Sequence, residues 1–204
     1  MSSKQSSKSK ILKNIRNQIV PQVALPDLNQ TWITYEDRWA HFREVLGAVG
    51  GVAEELSSQE ELSEALAKIP AWAEAKKTVS LVPGVSGNVD AEQIDDPHLL
   101  EDIDYAVLPG IFGVAENGAV WVEDKRIKHR VLYFLPQHIA LVVPAPEGAE
   151  RVVVDNMHQA YERVSLGENF FGTFISGPSK TADIEQSLVI GAHGARSLHI
   201  FFVK

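Results

Sequence analysis

The 204-residue sequence contains no cysteine. Disulfides, thiol catalysis, Cys-ligated zinc and Cys-ligated iron–sulfur clusters are therefore excluded within these residues. Long hydrophobic runs are missing too. The densest apolar stretch is Ile139-Ala140-Leu141-Val142-Val143, far below the roughly 18 residues of a membrane span. Near the start, Lys13, Asn14 and Arg16 interrupt Ile11, Leu12 and Ile15, so no signal-peptide core of about 7–15 apolar residues forms. A soluble, cytoplasmic protein without a membrane span is expected. Several catalytic signatures are also lacking. There is no G-x-x-x-x-G-K-[ST], no G-x-G-x-x-G and no H-E-x-x-H, and Gly84-Val85-Ser86-Gly87-Asn88 misses the G-x-S-x-G nucleophile elbow at its last position. No bound metal is expected.

What is present is an ordinary globular composition: 45% hydrophobic and 23% charged residues, with a mean hydropathy of -0.08. The formal charge of -8 is unevenly spread. Lys4, Lys8, Lys10, Lys13 and Arg16 meet no acid in the first sixteen residues, leaving 14 of the 19 bases to face all 27 acids. An acidic body argues against nucleic acid, which needs a basic face. The basic start fits either an electrostatic tether or a solvated end leading into a helix.

Ile11, Leu12, Ile15 and Ile19 recur at helical spacing. Pro21 and Pro26 then open a linker to about residue 34. The expected organisation is a flexible basic N-terminus, short helix and linker over 1–34, followed by an α/β domain over 35–204. Within the latter, helices are predicted over 36–49, from Ser58 with Glu61 as a capping box, over 98–102, over 157–164 with Asp155 or Asn156 as cap, and over 181–189. Strands are predicted over 79–82, 106–108, 111–114, 119–122, 172–176 and 197–203. Val131–Phe134 and Ile139–Val143 are further apolar runs, and Asn117-Gly118 is a tight-hairpin signal. Helices alternating with short β-branched strands predict an α/β fold with a mainly parallel sheet covered by helices.

The segment Ser176-Gly177-Pro178-Ser179-Lys180-Thr181-Ala182-Asp183-Ile184-Glu185 falls between a predicted strand and a predicted helix, where α/β proteins place ligands. Two readings compete. In one, Ser179 or Thr181 caps a helix whose Asp183 and Glu185 complement the dipole. In the other, free amides at the helix start, with Lys180, hold a phosphate or carboxylate. Gly191-Ala192-His193-Gly194-Ala195-Arg196 then leads into the last strand. His193 is of the side-chain type suited to proton transfer, or simply hydrogen-bonds backbone. Arg196 is suited to a bidentate carboxylate contact, or to an ordinary surface ion pair. His138 at the start of the 139–143 run and Glu116 before the Asn117-Gly118 turn are further polar candidates, each with a bland turn or surface alternative.

These two segments resemble the lactate utilization protein C family, also called the LUD-domain or YkgG-like family. Its pattern runs approximately G-P-S-x-T-A-D-I-E and then G-x-H-G. Here the residues are Gly177-Pro178-Ser179-Lys180-Thr181-Ala182-Asp183-Ile184-Glu185 and Gly191-Ala192-His193-Gly194. The likeness covers about residues 10–204. Two departures stand out. The family hairpin A-E-T-G-T is Ala115-Glu116-Asn117-Gly118-Ala119 here, without either threonine hydroxyl, and Ala195 stands where the family often has proline.

The resemblance implies a fold similar to the sugar-phosphate isomerase and CoA-transferase group. It also implies a part in oxidising L-lactate to pyruvate beside iron–sulfur partner proteins, the lactate utilization A and B types, with no cofactor in this chain. On that reading Gly177, Ser179, Lys180, Thr181, Asp183 and Arg196 bind a small carboxylate or phosphorylated ligand, and His193 or Glu116 moves protons. Two rivals remain: a stand-alone isomerase or CoA-transferase-like enzyme on a phosphorylated or thioester substrate, and a non-catalytic scaffold. The oligomeric state is left open.

Overall fold

The computed structural model describes residues 6–18, 23–28, 30–146, 152–165, 167, 171–184 and 187–204. The chain divides into two compact units, Met1–Thr31 and Trp32–Lys204. In the first, α1 (Ser7–Asn17) starts where the Ser6 hydroxyl accepts from the Ser9 N–H. It buries none of its residues, and Ile11, Leu12 and Ile15 are exposed.

The second unit is built on a five-stranded sheet in the order β1-β11-β6-β3-β2, parallel throughout. Its strands are β1 (Val52–Leu56), β2 (Thr78–Ser80), β3 (Tyr105–Pro109), β6 (His138–Pro144) and β11 (Ser197–Val203). Alternation decides what each face meets. Leu62 and Leu66 of α3 (Gln59–Ala67) pack on the face carrying Tyr105, Val107, Ala140, Val142 and Phe201. Ala106, Leu108, Ile139, Leu141, Leu198, Ile200 and Phe202 point the other way. They meet Phe42 and Leu46 of α2 (Arg38–Ala48), and Val120 and Val122 of β5 (Ala119–Glu123). Both strand faces are buried, which is why β3 and residues 139–143 of β6 read as apolar runs. Each such Leu, Ile or Phe contributes about 1.5–3 kcal/mol on full burial.

β5 belongs to a second sheet, β7-β4-β5-β8, formed with β4 (Phe112–Val114), β7 (Val153–Val154) and β8 (Gly172–Ile175). β4 and β7 run parallel; β5 is antiparallel to β4 and β8. Its outer face, with Phe112, Val114 and Trp121, is covered by Ala160 and Met157 of α5 (Met157–Arg163). The layers are thus α3, the parallel sheet, α2 with the mixed sheet, and α5. The expected α/β fold with a mainly parallel central sheet is present.

Several local expectations are corrected. The helix expected over 181–189 is instead an antiparallel pair, β9 (Lys180–Ile184) with β10 (Ser187–Ile190). Thr181, Ile184, Val189 and Ile190 are β-branched and suit a strand better than a helix. No helix therefore starts at the Gly177–Thr181 loop, which runs into β9 instead. β1, absent from the sequence reading, is an edge strand whose Glu54 and Glu55 are exposed, so its pattern carries no apolar run. The expected capping box does not form. Ser58 makes no cap bond, while Glu61 accepts from the Ser57 N–H at 2.8 Å. Pro70 opens a further short helix, α4 (Pro70–Ala73), rather than only ending the one before. Residues 97–100 and 130–133 are single 3-10 turns. Asn156, not Asp155, caps α5, its side chain accepting from the Gln159 N–H at 3.0 Å.

Candidate functional site

The loop after β8 is held in place by backbone. Gly177, at φ 73, is buried against the end of α2, where an added Cβ would lie 2.9 Å from the Val49 carbonyl. The Ser179 N–H donates to the Ala195 carbonyl at 2.8 Å, and the Ser179 carbonyl accepts from the Gly191 N–H at 2.9 Å. These bonds tie the 177–179 loop to the 191–196 loop, so the two motif segments become neighbours. The Arg196 N–H donates to the Gln137 carbonyl at 2.7 Å, just before Ser197 pairs with His138. The loops therefore stand at the amino-terminal edge of β6 and β11. Ligand sites in open parallel sheets more often lie at the carboxyl edge.

Beneath these loops lies a cavity of about 270 Å³. Its floor is apolar, made by Tyr133, Ile139, Phe174, Ile175 and Leu198; its rim is Gly177, Pro178, Ser179, His193, Gly194 and Ala195. The Tyr133 hydroxyl donates to the Pro109 carbonyl at 2.8 Å, which locks that ring. Among the described lining residues His193 is the titratable side chain exposed to solvent. The size falls just under the range of about 300–1,000 Å³ usual for drug-sized ligands, and suits a small acid.

The candidates thus separate. Gly177, Ser179 and His193 line this cavity. Lys180 is exposed on β9, opposite Ile190, and Thr181 pairs with Val189; neither is among the lining residues. The backbone of Asp183 lies in β9, and its side chain falls outside what is described. Arg196 lines a cleft with Glu74, Asp104, Gln137 and His138. Glu116 accepts from the Met157 N–H at 2.8 Å and so anchors the start of α5. The neighbouring Asn117 carbonyl accepts from the Ser176 hydroxyl at 2.7 Å, which brings the hairpin tip beside the loop without bringing the Glu116 carboxylate into the cavity.

The sequence offers His138 either as a site residue at the start of a strand or as a strand-end histidine satisfied by a turn. In the structure its Nδ1 lies 2.8 Å from the Ser197 hydroxyl. Burial, and then the Arg196 charge, hold its pKa below the ordinary value, against an opposing pull from Asp104. His199 is also lowered, chiefly by burial. Among the described residues no group of three or more His, Cys, Asp or Glu is placed to hold a metal ion, and no helix is long and apolar enough to cross a membrane.

The LUD domain model matches residues 39–203, from α2 to the end of β11. The chain belongs to the LUD domain family. Curated relatives include the lactate utilization protein C of Bacillus pumilus, 34% identical over 115 residues, with 53% of this chain and 46% of that protein covered. That of Geobacillus sp. is 33% identical over 120 residues, covering 52% and 47%. The matched segment thus spans about half the length of these relatives. A crystal structure of a DUF162 family protein from Deinococcus radiodurans superposes with a TM-score of 0.52 at 17% identity, covering 82% of this chain and 96% of that one. This likeness concerns the fold alone. In this LUD domain the two motif segments contribute one rim, over one cavity.

Proposed function

We propose that this LUD domain serves lactate utilization, as its curated relatives are named, by holding a small 2-hydroxy or 2-oxo carboxylate in the cavity under the motif loops. The observation that carries the reading is the convergence of Gly177–Ser179 and His193–Ala195 on one small cavity. The Ser179 hydroxyl orients the ligand, and His193 accepts or returns the hydroxyl proton. Lactate-to-pyruvate oxidation releases two electrons. With no cysteine in these 204 residues, a Cys-ligated cluster that accepts them belongs to iron–sulfur partner proteins, the lactate utilization A and B types. The chain therefore acts as one component of a cytoplasmic oxidising assembly.

Complementation is the test. The gene is placed in a strain lacking its own lactate utilization protein C and growth on L-lactate is scored, with calorimetric titration of L-lactate and pyruvate into the purified protein. Restored growth, lost again in His193→Ala, and binding of one of the two acids are expected. No growth and no binding of either acid would sink the reading. Turnover of a phosphorylated or thioester substrate by the chain alone would replace it with the isomerase or CoA-transferase type of reading.

A further inference from the structure

On the opposite face of the parallel sheet from the motif cavity, the one covered by α3, lie two clefts of about 450 Å³ and 200 Å³. They share Ala71 and His138 and so form one groove. Ser197 and His138 are partners at the start of the β11–β6 register. In a parallel ladder such partners leave the sheet side by side on the same face, and here the Ser197 Oγ and His138 Nδ1 are 2.8 Å apart. Both are only partly buried, so the pair is accessible from the groove.

Three surroundings give the pair chemical meaning. Burial and then the Arg196 charge lower the His138 pKa, against Asp104, which favours the neutral ring, and a neutral imidazole with its proton on Nε2 accepts the serine proton at Nδ1. His199, two residues along β11 and on the same face, walls the larger cleft, and its buried Nδ1 has no hydrogen-bond partner among the described residues. The groove floor beside Ser197 is apolar, formed by Ala65, Ile69, Pro70 and Ala71.

We propose that Ser197 and His138 are the nucleophile and general base of a second site, which takes a short-chain carboxylic ester. The acyl chain lies on the Ile69–Ala71 floor. The Ser197 Oγ bonds to the carbonyl carbon while its proton passes to His138 Nδ1. The carbonyl oxygen takes the negative charge, and a turn of the His199 ring brings its unpartnered nitrogen to that oxygen as a donor. The ester C–O bond then breaks, and His138 gives its proton to the departing alcohol. A water molecule, deprotonated by His138, attacks the acyl-serine, and the acid leaves as Ser197 regains its proton. The sum is ester plus water to acid plus alcohol, with nothing oxidised or reduced.

The test is active-site labelling of the full chain with a fluorophosphonate probe, read by intact mass and peptide mapping, beside hydrolysis of p-nitrophenyl butyrate. One adduct on Ser197 is expected, absent in Ser197→Ala. His138→Gln, checked for folding by circular dichroism, should label at least about 100-fold more slowly, the usual size of a general-base effect. Two results overturn the proposal. One is no adduct on Ser197 of the folded wild-type protein under conditions that saturate a known serine hydrolase. The other is an adduct that forms equally fast in His138→Gln. The first needs no variant, so a misfolded His138→Gln leaves the test decisive.

Discussion

Arg38 reaches across the domain with its Nε 2.8 Å from the Asp155 Oδ1, and that carboxylate is 1% exposed. The same oxygen accepts from the Tyr35 N–H at 3.0 Å. One buried carboxylate thus fastens the segment before α2 to the segment before α5. Burial alone would raise its pKa, but the bonds from Arg38, Tyr35 and Gln159 outweigh it and hold the carboxyl below its ordinary value. Asp155→Ala removes the acceptor of the Tyr35 N–H and the Arg38 Nε. A loss of about 1–3 kcal/mol is expected in urea unfolding. Because the folded pKa is depressed, the wild-type contribution is complete above the ordinary carboxylate range near 4 and fades as pH falls through the folded value.

Gly177→Ala tests the loop. The position needs a positive φ, and the new methyl meets the Val49 carbonyl at 2.9 Å. Strain of this kind costs about 1–3 kcal/mol. For a protein of this size each kcal/mol lowers Tm by about 2–4 °C, so differential scanning fluorimetry should show a clear drop. If the cavity binds lactate or pyruvate, the variant should also bind the ligand more weakly at temperatures where it remains folded.

Two tyrosines make opposite predictions. The Tyr133 hydroxyl is bonded to the Pro109 carbonyl, whereas the Tyr105 hydroxyl is buried with no partner among the described residues. Tyr133→Phe should cost about 0.5–1.5 kcal/mol, the net worth of one hydrogen bond. Tyr105→Phe removes an unpaired polar atom and should leave stability unchanged or raise it. Parallel urea melts of both variants check the pair; an equal loss in both would contradict the hydrogen-bond assignment.

The histidines of the groove set an acid limit. Both His138 and His199 have lowered pKa values, mainly from burial, so the unfolded chain binds more protons than the folded one just below the ordinary histidine value of about 6.5. Stability should therefore decline as pH falls below about 6.5, and level off for these groups once their folded values are passed. His199→Gln should flatten this slope in a series of urea melts between neutral pH and pH 5. Asp104 and Arg196 near His138, and Glu54 near His199, modulate the two steps.

The elements legible in the sequence are those whose neighbours matter least. The 3.6-residue stripe around Phe42 and Leu46 marks α2, and the β-branched runs of β6 and β11 mark strands buried on both faces. β1 was hidden because Val-Ala-Glu-Glu-Leu gains its strand geometry from pairing with β11, not from its own residues. The β9–β10 pair was hidden because Ser, Thr and Asp mark a helix start and a polar strand alike. The motif segments single out Gly177, Ser179 and His193, which line one cavity. The Ser197–His138 contact could not be read from the sequence, since it exists only through the parallel register of two strands far apart in the chain.

The same register carries a kinetic consequence. β11 lies between β1 and β6, so the earliest strand of the sheet joins the rest only through the latest. Such a sheet has high contact order, and loop closure must precede most of its stabilising contacts. During synthesis β6 and β3 can pair while β1 waits with an open edge. The domain should therefore become protease-resistant in one late step, once Ser197–Val203 has emerged, rather than gradually as the chain grows.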